Sequence, residues 1–372
     1  MSRLLLSLAL ALALVPLARA AEEGAKKPAA VTLDEVQKNL NDVAVLNKYL
    51  NEQFRALSSL TDEDPAAAEK KLAEIEAGLA KLEPTDAKVI TLLGRGESSL
   101  AFFRDNIALA RISLADLEKS LIANPDDAAA LQKWTRKAMQ PIGQIAYSAP
   151  EEAQAKLDAT KAFADKLAAA AQEEATKKTL LALANPTRGA FASLEKVIAK
   201  GREYAALVGK EAAPLTVDAW VNGSPLTASD LKGKVVLLDF WAIWCGPCIV
   251  TFPHLREWND KYADRGLVMI GLTNYYDFEW SEDEQRAKKA AGDITVEAEH
   301  EMLQKFAAHH NLKHHFGVQE KGNQALSKYY GVSGIPHVVI LDREGKIRMI
   351  RVGSGKQNAQ DIDALLAELL AK

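Results

Sequence analysis

The chain has only two cysteines, Cys245 and Cys248, three positions apart and closely behind Val235-Val236-Leu237-Leu238-Asp239-Phe240. That near-continuous apolar run predicts a strand buried on both faces, and a helical pattern over 248–262 follows it. A strand that delivers a Cys-x-x-Cys pair to the start of a helix constrains the fold more than any other feature here. At a helix N-terminus the unpaired amides and the dipole favour an anion, which lowers the pKa of the first thiol and makes Cys245 the nucleophile. Cys248, one turn on, lies under it and can close the ring. Pro247 lacks an amide donor but suits a first helical turn, so it stiffens the loop without breaking the helix. A zinc site needs two further Cys or His ligands; cysteine is exhausted and histidine would have to supply both, so neither a metal nor any cofactor beyond the cysteine pair itself is expected.

At 372 residues the chain is long enough for about two domains. A net charge of -4 leaves no general basic field to hold nucleic acid by its phosphates. Arg3 is followed by an apolar run over 4–17, short of the roughly 20 residues that span a bilayer, and then by Ala18-Arg19-Ala20, an A-x-A cleavage pattern. Residues 1–20 therefore read as a cleavable signal peptide and 21–30 as a tether, which places the mature protein in the periplasm or another extracytoplasmic space. A thiol pair there stays reduced only if something reduces it.

From 31 to 208 the chain is rich in Ala, Leu, Glu and Lys, and Asp64-Pro65, Glu83-Pro84, Asn124-Pro125 and Asn185-Pro186 stand where helices should start or stop. Spacings such as Leu72, Ile75, Leu79 and Leu82 give one apolar stripe per helix. This is an all-helical domain. The stretch 117–134 resembles a tetratricopeptide-type junction, but the proline breaks do not recur at a fixed period, so an irregular bundle is expected. At Gly209 the composition changes, and 209–372 reads as an α/β domain. Stretches 215–221 and 226–228 suggest a β-hairpin, 268–273, 338–341 and 346–352 are further strands, and 302–310 and 359–370 are helices.

The residues 235–248, with Trp241, Trp244 and the buried carboxylate at Asp239, match the active-site strand and loop of the thioredoxin superfamily. Gly334-Ile335-Pro336 stands where that family keeps a cis-proline facing the disulfide. The resemblance covers about 209–372, and its preamble, with Pro214 and Leu231-Lys232-Gly233-Lys234, looks like the TlpA/ResA branch, whose periplasmic members commonly reduce disulfides. It implies a central mixed sheet flanked by helices. It also implies a mechanism in which Cys245 attacks a protein disulfide and Cys248 resolves the mixed disulfide with help from Asp239. Pro336 and Ile335 would shape the substrate groove, Gly246 and Pro247 would line it, and Trp244 would shield the sulfur. The electron donor would be a membrane thiol relay, and the helical domain could bind a protein partner.

Two departures from that pattern matter. Reductases of the branch often hold a glutamate three residues after the second cysteine, where this chain has Thr251, so the acid–base role shifts to Asp239. Thioredoxins pair that aspartate with a lysine on the next strand, and 267–273 contains none. Asp239 is then desolvated without a cation and its pKa should be raised.

The stretch 274–295 is additional to a minimal thioredoxin unit. Residues 277–301 hold nine acidic and three basic side chains, with Tyr275, Tyr276, Phe278 and Trp280 at or near the start. This segment is either a partner-recognition lip or, as the simpler expectation, a helical insertion packed on its own domain. Five of the seven histidines fall between His300 and His315 and read as structural. His254 and His337 stand nearer the chemistry in sequence and are candidates for tuning the thiolate. A thiol peroxidase is the rival enzyme, disfavoured because position 242 is Ala where a Thr or Ser would be needed. An assembly factor with a vestigial redox site is disfavoured by the intact set of Cys245, Cys248, Asp239 and Pro336.

Overall fold

The computed structural model describes residues 30–283, 286–319 and 322–371. The signal peptide and nearly all of the tether expected from the sequence lie outside them. The chain folds as two compact units that divide after Leu117.

The first unit, residues 30–117, is helical: α1 (Leu33–Lys38), α2 (Val43–Glu63), α3 (Pro65–Leu79), α4 (Ala87–Ala110) and the start of α5 (Leu114–Ala123). Asp42, Asp64 and Asp86 cap α2, α3 and α4 by accepting backbone amides, and Pro65 occupies the first turn of α3. The expected stripe is the core: Leu72, Ile75, Leu79 and Leu82 pack with Leu46, Leu50, Leu57, Val89 and Leu100. Arg104 and Arg111 pair with Glu76 and Glu69 of α3 on the surface.

The second unit, 118–372, carries the remaining helices and the sheet. Its helical part is α6 (Ala128–Ile145), α7 (Pro150–Ala170), α8 (Glu174–Ala184) and α9 (Ala190–Leu207). Trp134 is fully buried in α6 and meets Phe163 of α7 at 5.1 Å. The elements that follow are β1 (Ala219–Asn222), α10 (Ala228–Leu231), β2 (Val235–Phe240), α11 (Gly246–Tyr262), β3 (Leu267–Asn274), β4 (Phe278–Ser281), β5 (Arg286–Lys289), α12 (Val296–His309), β6 (His315–Gln319), α13 (Ala325–Tyr329), β7 (His337–Leu341), β8 (Ile347–Val352) and α14 (Lys356–Leu370). The central sheet runs β1-β6-β3-β2-β7-β8, with β2, β3 and β6 mutually parallel and β1, β7 and β8 antiparallel to their neighbours. It is the mixed thioredoxin-like sheet expected for this half of the chain.

All six residues of β2 are buried, as its apolar run predicts. Val235 and Leu237 face a cluster supplied by α11, α12 and α14, while Val236, Leu238 and Phe240 face a second cluster with Leu326, Tyr330 and Tyr204. Tyr204 belongs to α9, so the sheet's core recruits a residue from before the composition change at Gly209. The second compact unit accordingly holds α9 together with the sheet, because packing, unlike composition, couples that helix to it.

Two local expectations are corrected. Residues 215–228 do not form a hairpin. Asp230 accepts the Thr227 amide at 2.7 Å, the sign of a capping box, and the second stretch starts a helical turn. The first stretch instead pairs β1 antiparallel with β6. The 274–295 segment is likewise no helix but the two-stranded β4–β5 hairpin. Its period is two: Phe278, Trp280 and Ala287 pack on the domain core, while Glu279 and Lys288 pair across the outer face at 3.5 Å.

Candidate active site

The carboxyl end of β2 builds the site. The Trp241 amide continues the ladder by donating to the Leu272 carbonyl, and Cys245 N–H donates to Ala242 O, closing the turn that starts α11. Trp241 is buried among Phe252, Phe306 and Phe316. Gly271 makes room for it, because a Cβ there would stand 2.9 Å from the indole Nε1.

Cys245 is the N-cap of α11, and its Sγ accepts the Cys248 amide at 3.2 Å. That contact and the helix dipole stabilise negative charge on the Cys245 sulfur once the pair is reduced. The two sulfurs are joined as a disulfide. Cys248 is completely buried and Cys245 retains a trace of exposure, while Gly246 and Pro247 lie open on the first turn. Trp244 is 56% exposed, and its ring meets Tyr276 edge-on at 5.8 Å. The Thr251 hydroxyl donates to the Cys248 carbonyl, so it serves its own helix.

Strand β7 is antiparallel to β2 with His337 opposite Phe240, which brings Ile335 and Pro336 to the same end of the sheet as Cys245. The Ile335–Pro336 peptide is cis, and Ile335 packs against the cluster that contains both cysteines.

Asp239 lies in register with Gly271 on one side and Val338 on the other. The alternation of β2 turns it to the face of Val235 and Leu237, the disulfide's face. Among the described residues neither carboxylate oxygen has a hydrogen-bond partner, and burial pushes its pKa up to about 7. An aspartate titrating there is suited to act as base for a buried thiol near neutral pH.

The two histidine candidates are separated from the sulfurs. His254 is exposed and stacks on Trp258, away from the buried side of α11 that carries Cys248. His337 faces the opposite side of the sheet from the disulfide, where burial holds its pKa down at about 3. Of the clustered histidines, His309 and His310 end α12, His314 lies over Gly271 and is likewise held low, at about 4, by burial, and His315 begins β6.

Sequence reading missed Glu299. This carboxylate is buried in the first turn of α12, where it accepts the amides of Tyr276 at 2.5 Å and Asp277 at 3.1 Å. It thereby holds the loop whose Tyr276 ring supports Trp244. Within a strongly acidic stretch one glutamate carries no mark of burial; its only signal is the four-residue step to Leu303 on the apolar stripe of α12.

Residues 207–366 match the Redoxin family model. The chain is similar to the thiol-disulfide oxidoreductase ResA of Bacillus thuringiensis subsp. konkukian, 30% identical over 162 residues that cover 44% of this chain and 78% of that protein. It is also similar to the thioredoxin-like protein YneN of Bacillus subtilis, 31% identical over 145 residues covering 38% and 72%. Among solved structures, a thiol-disulfide isomerase from Corynebacterium glutamicum aligns at 22% identity over 44% of this chain and 97% of that one, with a TM-score of 0.35.

Proposed function

The chain belongs to the ResA-like thiol-disulfide oxidoreductases, and from that premise we propose that it reduces polypeptide disulfides outside the cytoplasm through Cys245-Gly246-Pro247-Cys248. The observation that carries the assignment of roles is the Cys248 amide aimed at the Cys245 sulfur, with Cys248 itself sealed beneath. In the reduced protein, the Cys245 thiolate attacks one sulfur of a substrate disulfide. The substrate S–S bond breaks, one substrate thiolate leaves, and a mixed disulfide forms. Cys248 then gives its proton to the Asp239 carboxylate and attacks the Cys245 sulfur. The second substrate thiolate leaves, the protein's disulfide closes, and two electrons have passed to the substrate. No cofactor enters, since the dithiol carries both electrons.

Trp244, Gly246, Pro247, Ile335 and Pro336 surround the disulfide end of the sheet and are the surface on which the substrate lies. Because the chain holds no second cysteine pair, the electrons must come from another dithiol protein, for which a membrane thiol relay is the fitting donor in an oxidising compartment. The Gly-Pro pair between the cysteines is that of thioredoxin, whose potential of about -270 mV favours reduction over oxidation.

Insulin reduction by the full chain, with Cys245→Ser as control, tests the activity. Alkylation of the reduced protein at mildly acidic pH should label Cys245 first, and preferential labelling of Cys248 would reverse the roles. Equilibration against glutathione tests direction. A potential above about -150 mV makes the protein an oxidant and overturns the reductive reading.

A further inference from the structure

The last helix before the composition change carries a side chain that the redox chemistry does not use. Tyr204 of α9 is 2% exposed and sits in the core of the sheet's second face. Gly201, one turn earlier, lets the helix reach that position: a Cβ there would stand 2.0 Å from the Ala146 carbonyl oxygen at the end of α6, closer than any side chain can come.

The Tyr204 hydroxyl donates to the Gly331 carbonyl at 2.9 Å and lies 3.0 Å from the Ser333 Oγ. Its ring meets the imidazole of His337 edge-on at 5.4 Å. These contacts flank the Ile335–Pro336 cis peptide on both sides. Among the described residues neither ring nitrogen of His337 has a hydrogen-bond partner, and Phe240 closes on the ring at 5.6 Å, so aromatic packing is what holds it. The backbone of 331–336 is tied outside the strands by Gly331 N–H to Lys328 O, Val332 N–H to Ser327 O and Gly353 N–H to Pro336 O, which leaves residues 333–335 to side-chain contacts such as that of Tyr204 with Ser333. A polypeptide substrate lying beside Ile335 and Pro336 therefore meets a loop whose position is fixed from the far side of the sheet.

We propose that Tyr204 is a positioning residue for the redox site, holding the cis-proline loop in the geometry that receives an extended, disulfide-bearing polypeptide. The inference rests on the reductase reading above and extends it: the helical region sets how well such substrates dock without touching the sulfurs. Small disulfides, which have no backbone to lay along the loop, bypass the device.

The test uses the full chain and two substrates, insulin and hydroxyethyl disulfide. Tyr204→Phe keeps the ring and removes the hydroxyl. For insulin, KM should rise about five-fold, the factor set by one lost hydrogen bond, with kcat little changed. The rate with hydroxyethyl disulfide should stay at the wild-type value. Ser333→Ala should give a smaller rise in insulin KM, and adding it to Tyr204→Phe should give no further rise, because the hydroxyl it served is already gone. An unchanged insulin KM in Tyr204→Phe, or equal losses on both substrates, overturns the proposal. A wild-type chain that reduces neither disulfide overturns the reductase reading itself, a result that no behaviour of the variant can imitate.

Discussion

Among the described residues the Asp239 carboxyl has no hydrogen-bond partner, and its protonation links the proposed base role to stability. In the native protein it keeps its proton up to about pH 7, whereas the ordinary value is 3.8. Folding therefore takes up a proton across that interval, and its contribution to stability falls as pH rises from about 4 to about 7, by on the order of 4 kcal/mol in all. His314 and His337 act in the opposite sense, since their lowered pKa values make folding release protons below 6.5. Asp239→Asn leaves those histidines in place, so they cancel when variant and wild type are compared. Denaturant unfolding at a series of pH values should show the variant gaining on the wild type from pH ~4 to ~7 and holding a constant difference above. The same substitution should slow resolution of the mixed disulfide by about a hundred-fold while leaving its formation nearly intact. An unchanged lifetime of the trapped intermediate would make Asp239 structural. Much of this was legible in the sequence, because the aspartate sits on a buried run and 267–273 offers no lysine. The place of His337 was not. Adjacency to Pro336 suggested nearness to the thiols, yet a strand sends successive side chains to opposite faces, and His337 falls on the wrong parity.

At the scale of elements, the site depends on one helix terminus and one added hairpin. The helix terminus was legible because each of its parts is local: the buried strand, the cysteine spacing and the proline at the first turn. The hairpin was not. Its acidic composition outweighed the two-residue alternation of Phe278 and Trp280, and the pairing that turns alternation into strands depends on Asp277, whose φ of 58° sets the turn into β4. The loop before the hairpin is fastened to α12 by Glu299, and this makes a prediction. Glu299→Ala removes the acceptor of two part-buried amides and should cost about 2–3 kcal/mol in urea unfolding, the range for charge-assisted bonds whose partners are left stranded. Tyr276 then loses its anchor and Trp244 its support, so the indole fluorescence should also shift toward that of a solvated ring. A variant as stable as the wild type would show that the loop holds itself.

For the whole molecule, residues 31–208 and 209–372 differ in composition as the sequence indicates, but composition records which secondary structure a segment prefers and is silent about which segments pack together. Tyr204 and Leu207 lie before the change and serve the sheet behind it. The segment between them and β1 carries Gly209 and Lys210, with Pro214 a few residues on, and by its residues looks like a linker. Its backbone tells otherwise. Gly209 N–H donates to Ile347 O, Ile347 N–H to Lys210 O and Ala212 N–H to Gly345 O, so these residues lie along the outer edge of β8 as a partial extra strand. A protease must draw several residues out into its cleft before it can cut, and a stretch stitched to a sheet edge yields only when that edge opens. Trypsin should therefore spare the exposed Lys210 at low denaturant and cleave there only as the sheet unfolds. Early cleavage at Lys210 would show the stitch to be loose. The same stitch covers an edge that would otherwise offer free amides and carbonyls to a second chain. A chain cut to begin after Ala212 would bare that edge, and the fault to look for is self-association rather than a lost thiol.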